Sequence, residues 1–295
     1  MTSDDATEDA IPPEAAFGAL ADETRVAILR ALAGERGEPV GFNDLRKRVG
    51  AKDSSGFNYH LSKLVGRFVR KGDDGYELTT AGAQVYGAIL SGTYTDSVDF
   101  DPIELTDSDD VCPDCGATLE ATYEDERMSI GCSDCDRVVA SSAFPPAAVT
   151  GRPPASLPQT FADYLTAIME QTRRGLCMVC SGRMVGRLAI EAVPALAVDE
   201  AAPMAVFECD RCFNTSHASP GHVLTSRPAV VSFYHERGID VREIPPWRLD
   251  MLSADATTVV SEDPLEVAVT VEEDGDVLTV TLDDELDVVN VEPPT

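Results

Sequence analysis

Eight cysteines in this chain of 295 residues fall into four Cys-x-x-Cys pairs, Cys112/Cys115, Cys132/Cys135, Cys177/Cys180 and Cys209/Cys212, with none left over. Each such turn puts two thiolates within reach of one ion, and two turns supply the four soft donors of a tetrahedral zinc site. Chain order predicts two sites, C-x2-C-x16-C-x2-C and C-x2-C-x28-C-x2-C, each holding one zinc ion as a structural brace. The longer gap implies an inserted loop or strand pair. Spacing alone leaves iron, and crossed pairing between the two sets, open. Disulfides would require an exported chain, and residues 1–10 show neither a basic n-region nor an apolar h-region, so a cytoplasmic location is expected. Four thiolates leave no open coordination position for a substrate. No Ser/His/Asp set, phosphate loop or HExxH motif is visible, and the chain reads as a non-enzyme. His217, His222 and His235 are spare, because cysteines already fill eight ligand positions.

The knuckles need strands to hold them. Thr118 to Ile130 reads as a strand pair around Glu124-Asp125-Glu126, giving a first zinc ribbon over 112–145. Five prolines in 145–158 read as a stiff connector. Residues 159–174 read as a helix with Phe161, Leu165, Ile168 and Met169 on one face. A second zinc-binding region spans 159–295, with strands at Leu188–Ile190 and Met204–Phe207 and a helix over 227–238. From Leu265 the chain alternates apolar and polar residues around Gly275-Asp276, as a β-hairpin or small sheet does. Trp247 reads as packed against that sheet.

The first third is different. Apolar residues at helical spacing run through 13–34, with Asp22 introducing a second helix. Gly41–Val49 reads as a short helix with Asn43 as its N-cap, and 54–66 as another with Phe57, Leu61, Leu64 and Val65 inward. Two short strands flank Gly72–Gly75, and Thr79 or Thr80 caps a last helix reaching Leu90. The order helix, helix, helix, hairpin, helix over 13–92 is a winged helix-turn-helix pattern. The fold class expected is therefore α+β: an N-terminal winged helix, then one or two four-cysteine modules with a small β-rich C-terminal region. Residues 93–111, with seven acids and no base, read as a solvated linker.

Charge singles out one face. The chain carries 52 acidic and 23 basic residues, a net charge of −29, yet 36–71 holds nine basic residues and three acidic ones, including all four lysines. A cationic island on so acidic a chain suits a polyanion. In a helix-turn-helix the second helix enters the major groove. Off its apolar stripe stand Ser54, Ser55, Asn58, Tyr59, Ser62 and Lys63, candidates for base and phosphate contacts. Arg46, Lys47, Arg48 and Lys52 are placed for phosphates, and Arg70 and Lys71 for the backbone or minor groove beside the wing. Double-stranded DNA is the expected partner, bound by a homodimer. His60, beside Leu61, reads as packed or capping. No apolar run approaches 18 residues, so no membrane partner is expected.

The segments LADETRVAILRAL (20–32), FNDLRKRVG (42–50), SSGFNYHLSKL (54–64) and GYELTTAG (75–82) resemble the ArsR-like branch of archaeal and bacterial transcription regulators. The resemblance covers 13–92 and implies a DNA-binding transcription regulator. The remainder resembles, more loosely, zinc-binding regions attached to such domains in halophilic archaea, and the acidic, lysine-poor composition resembles that of salt-in halophiles. A winged helix followed by a zinc ribbon also resembles archaeal transcription factor E, which would make the transcription machinery a partner. The second cysteine set and the β-rich tail depart from that pattern. A zinc- or redox-responsive switch is a third reading.

Overall fold

The computed structural model describes residues 11–34, 38–194 and 198–294; residues 1–12, which the sequence reads as a disordered acidic leader, lie outside it except for Ile11 and Pro12. The protein is α+β and divides into two compact units, Met1–Asp96 and Ser97–Thr295.

In the first unit a short α1 (Pro13–Gly18) precedes α2 (Glu23–Ala33), whose start is fixed by Asp22 accepting a hydrogen bond from the Arg25 N–H. Helices α3 (Phe42–Val49) and α4 (Ser54–Leu64) follow, separated by a left-handed Gly50 and Ala51–Asp53. Gly41, not Asn43, is the N-cap of α3, and it makes no side-chain cap bond. The reason lies in packing: Phe42 enters the helix first and its ring meets Phe57 of α4 edge-on at 5.2 Å. The wing is β1 (Val69–Lys71) with β2 (Tyr76–Leu78), antiparallel, and Val40 adds two backbone hydrogen bonds to Tyr76. Thr79 caps α5 (Thr80–Leu90). Gly82 of α5 is where helix and wing touch, since a Cβ there would lie 2.0 Å from the Phe68 carbonyl oxygen. Ile28, Leu29, Leu45, Phe57, Leu61 and Leu64 form the buried centre. This is the arrangement of a winged helix.

In the second unit, β3 (Ile103–Glu104), β4 (Leu119–Glu124), β5 (Arg127–Cys132) and β6 (Val138–Ala143) form an antiparallel sheet in sequence order. Asp125 and Glu126 both take positive φ in the β4–β5 turn, the backbone a two-residue hairpin demands. The proline-rich stretch carries α6 (Pro146–Val149) and leads to α7 (Leu157–Arg173). Strands β7 (Met184–Val193), β8 (Val198–Cys209) and β9 (Thr215–Ala218) make a second sheet. Helices α8 (Pro220–Leu224) and α9 (Pro228–Glu236) follow, and their Val223, Leu224, Val230, Phe233 and Tyr234 share one buried core with Leu188, Ala205 and Phe207 of that sheet. A last sheet holds β10 (Thr257–Glu262), β11 (Leu265–Glu273), β12 (Asp276–Leu282) and β13 (Val288–Glu292) in sequence order.

Two departures from the sequence reading matter for the site. Residues 93–111 are not simply a solvated linker: Leu105 is buried, Ile103 pairs with Ala121, and Val98 and Phe100 pack on the first sheet. Trp247 packs in that same core rather than on the C-terminal sheet. Its Nε1 donates to Asp110 Oδ1 at 2.8 Å, and Arg248 donates to the same carboxylate from Nε at 2.7 Å and from Nη2 at 2.8 Å.

Candidate functional site

The eight cysteines converge in two groups, Cys112, Cys115, Cys132 and Cys135, then Cys177, Cys180, Cys209 and Cys212, so the pairing is uncrossed. Within each group all four sulfurs lie within 4.8 Å of one another. The nearest pairs are Cys112–Cys135 and Cys115–Cys132 at 3.5 Å, Cys180–Cys209 at 3.5 Å and Cys177–Cys212 at 3.7 Å. Metal–sulfur bonds of about 2.3 Å in a tetrahedron require sulfurs about 3.8 Å apart. The donor set thus fits a tetrahedral thiophilic cation with little movement.

Backbone supports the fit. The N–H groups of Val179, Gly182 and Arg211 donate to the sulfurs of Cys177, Cys180 and Cys209 at 3.3–3.4 Å. These bonds fold each turn around its sulfurs and offset negative charge. Gly182 sits close against the sulfurs: a Cβ would lie 3.0 Å from Cys180 Sγ and 3.3 Å from Cys209 Sγ, so a larger residue would have to push the ligands apart by a few tenths of an ångström. In each group one thiol ionises more readily and another less. The N–H groups of Cys212 and Arg211 hold Cys209 down to about 6. The Asn214 N–H pulls Cys212 down, but the sulfurs of Cys180, Cys209 and Cys177 outweigh it and push it up to about 12. In the first group Cys112 is lowered: burial opposes this, but the N–H groups of Cys115 and Asp114 win. Cys135 rises to about 12, because the sulfurs of Cys112, Cys115 and Cys132 outweigh the Arg137 N–H. Four thiolates cannot share this volume without a cation to balance them. Each group can therefore hold a metal ion, and each is closed to further ligands by its four cysteines.

His217, His222 and His235 join neither cysteine group. His217 Nε2 instead lies 3.6 Å from Glu191 Oε2, and His222 Nδ1 lies 3.2 Å from Ser219 Oγ.

The candidate nucleic-acid face lies in the first unit. Ser54, Ser55, Asn58, Tyr59, Ser62 and Lys63 are all exposed on α4, opposite the buried Phe57, Leu61 and Leu64. Asp53 caps the helix by accepting from the Ser55 and Gly56 N–H groups, which fixes where the exposed face begins. Several polar groups are already engaged. Ser62 Oγ donates to the Tyr59 carbonyl at 2.8 Å, and Lys63 Nζ stands 5.4 Å from the Tyr59 ring centroid. Around it, Lys47, Arg48 and Lys52 are exposed, while the half-buried Arg46 donates to the Lys52 carbonyl and braces the turn. On the wing Arg70 pairs with Glu77 at 2.9 Å, and Lys71 stands 5.9 Å from the Tyr76 ring centroid. His60 is half-buried, with Nδ1 3.2 Å from Asp22 Oδ1, tying α4 to the cap of α2.

The family described as "Domain of unknown function (DUF7351)" matches residues 109–288, more than half of the chain. The chain belongs to that family. A second family, "Domain of unknown function (DUF7347)", matches residues 13–89, within the winged-helix unit. No curated protein and no solved structure matches the chain. The DUF7351 match lies within the second unit and takes in both cysteine groups. No helix among the described residues is long and apolar enough to cross a membrane.

Sequence reasoning missed Val40, Gly182 and the Asp110–Trp247–Arg248 cluster. A Val flanked by Pro39 and Gly41 carries no strand period, and a lone acid within an acidic run carries no mark of burial.

Proposed function

We propose that this protein is a DNA-binding transcription regulator of ArsR-like type, in which α4 reads duplex DNA and structural zinc holds the second unit. The observation that carries the reading is the face of α4. Asn58, Tyr59 and Lys63 project from a capped helix that follows Arg46, Lys47 and Arg48 at the end of α3 and Lys52 in the turn, on a chain otherwise strongly acidic. Asn is suited to bidentate contact with adenine, and Lys and Ser to phosphates. Zinc suits the metal sites better than harder cations because all eight donors are thiolates, and closed four-thiolate sites serve structure rather than catalysis.

A homodimer on a two-fold DNA site is the natural mode for such a unit, and exposed Phe17 on α1, Leu90 at the end of α5 and Tyr94 in the turn after it are suited to meet a second copy. The test is selection of duplexes from a randomised pool by the zinc-loaded full chain in molar KCl. Enrichment of one motif with two-fold symmetry supports the reading. An unenriched pool at every salt concentration counts against it, and co-purification with RNA polymerase without such a motif would favour the factor-E-like role.

A further inference from the structure

The second unit contains a cleft of about 670 Å³, well within the size range of small-molecule sites. One wall is the C-terminal half of α7, with Leu165 and Met169 facing the space. Val231 of α9 and Leu249 and Leu252 of the following chain complete an apolar floor. The rim is unlike the rest of the region. Residues 93–295 hold 12 basic and 38 acidic groups, yet three of those twelve, Arg173, Arg174 and Arg242, line the cleft against a single acid, Glu170.

The guanidinium groups are positioned but not used up. Arg174 reaches Glu170 through Nε alone, at 2.6 Å, and Arg173 through Nε and Nη2. Arg242 bonds Asp240, which does not line the cleft. A guanidinium has five donors in a fork matched to a carboxylate, so each arginine retains further donors. Ser226, also at the cleft, has a buried Oγ without a hydrogen-bond partner among the described residues.

The geometry points to a binding site for a small amphipathic organic carboxylate, its apolar body against Met169, Val231 and Leu249 and its head on the arginine rim. This goes beyond DNA reading and does not depend on it. The site is also placed to be felt at both metal centres. Only Gly175 and Leu176 separate Arg174 from Cys177, and Gln171 Nε2 donates to the Cys177 carbonyl at 3.3 Å. Cleft-lining Pro246 and Leu249 also flank Trp247 and Arg248, which hold Asp110 two residues before Cys112.

Trp247 is the only tryptophan, so its fluorescence reports on this wall. The test titrates the zinc-loaded full chain in molar KCl with octanoate and, separately, octan-1-ol, read by fluorescence and calorimetry. Saturable octanoate binding is expected, weakened about tenfold or more in octan-1-ol and in Arg174→Ala or Arg242→Ala, since a hydrogen bond to a charged group contributes on that order. Val231→Phe should block it by filling the floor, and Arg152→Ala, outside the cleft, should leave it unchanged. Zinc content and melting temperature establish that each variant is folded, and the two surface arginine variants carry the test should Val231→Phe fail to fold. Octan-1-ol binding as tightly as octanoate, unchanged affinity in both arginine variants, or no saturable binding of octanoate would overturn the proposal.

Discussion

Arg248→Ala should be among the most damaging single substitutions outside the cysteines. Asp110 is only 4% exposed and has three hydrogen bonds from Trp247 and Arg248, two of them from the guanidinium. Removing the arginine leaves a buried carboxylate with one indole N–H. Breaking a buried ion pair by deleting one partner costs about 3–5 kcal/mol. The Arg248 side chain is 23% exposed, so water relieves part of the loss and the lower end, about 3 kcal/mol, is expected. For a unit of this size that corresponds to a melting temperature lower by roughly 6–12 °C. Molar salt should not rescue the variant, because counter-ions screen exposed pairs far more than buried ones. Asp110→Asn combined with Arg248→Ala should be less destabilised than Arg248→Ala alone, since no charge is then stranded. The assay is thermal unfolding of the zinc-loaded protein in molar KCl, followed by circular dichroism. A shift equivalent to less than about 1 kcal/mol for Arg248→Ala would refute the reasoning, because that is the scale of an ordinary exposed pair.

The remaining predictions concern metal, acid and salt. Purified protein should contain two zinc ions per chain, and stripping them should unfold much of 97–295. Structural zinc contributes on the order of 10–16 kcal/mol, more than most domains have to spare; elemental analysis and circular dichroism with a chelator check this. Burial pushes His222 down to about 4, below its unfolded value near 6.5, so the unfolded chain binds the extra proton first. Its contribution to stability is complete above about pH 6.5 and is lost as pH falls toward 4, by up to about 3 kcal/mol and less where water reaches the ring. His222→Asn should flatten that part of the stability–pH curve relative to wild type. DNA affinity should fall only shallowly with KCl if, as the acidic, lysine-poor composition suggests, the chain is adapted to high salt, where counterion release contributes little; a steep slope, as in a protein relying on many phosphate contacts, would count against it.

Local chemistry was legible in the sequence and distant pairing was not. The cysteine turns announce themselves because ligation needs two thiols three residues apart, and α4 does so because Phe57, Leu61 and Leu64 recur at helical spacing. Asp110 bonds residues 137 and 138 positions away, and nothing in its own neighbourhood separates it from the exposed acids around it. The β7–β8 pair is far longer than the two short strands expected. Pro203, which ordinarily marks the end of a strand, sits opposite Ile190 beyond the stretch of β8 that pairs with β9. Its missing N–H therefore faces an open edge, where proline is tolerated. The arginine rim of the cleft draws on α7 and on the chain after α9, and only folding brings the two together.

The central claim is that the exposed face of α4 reads base pairs. The most direct measurement compares wild type, Asn58→Ala and Lys63→Ala on a selected duplex and on a set carrying single base-pair changes, in molar KCl. Asn58→Ala should lose about 1–3 kcal/mol of discrimination at one position, while Lys63→Ala weakens every duplex by a similar factor. Equal, sequence-independent losses in both variants, or wild-type protein that binds all the duplexes alike, would contradict the account.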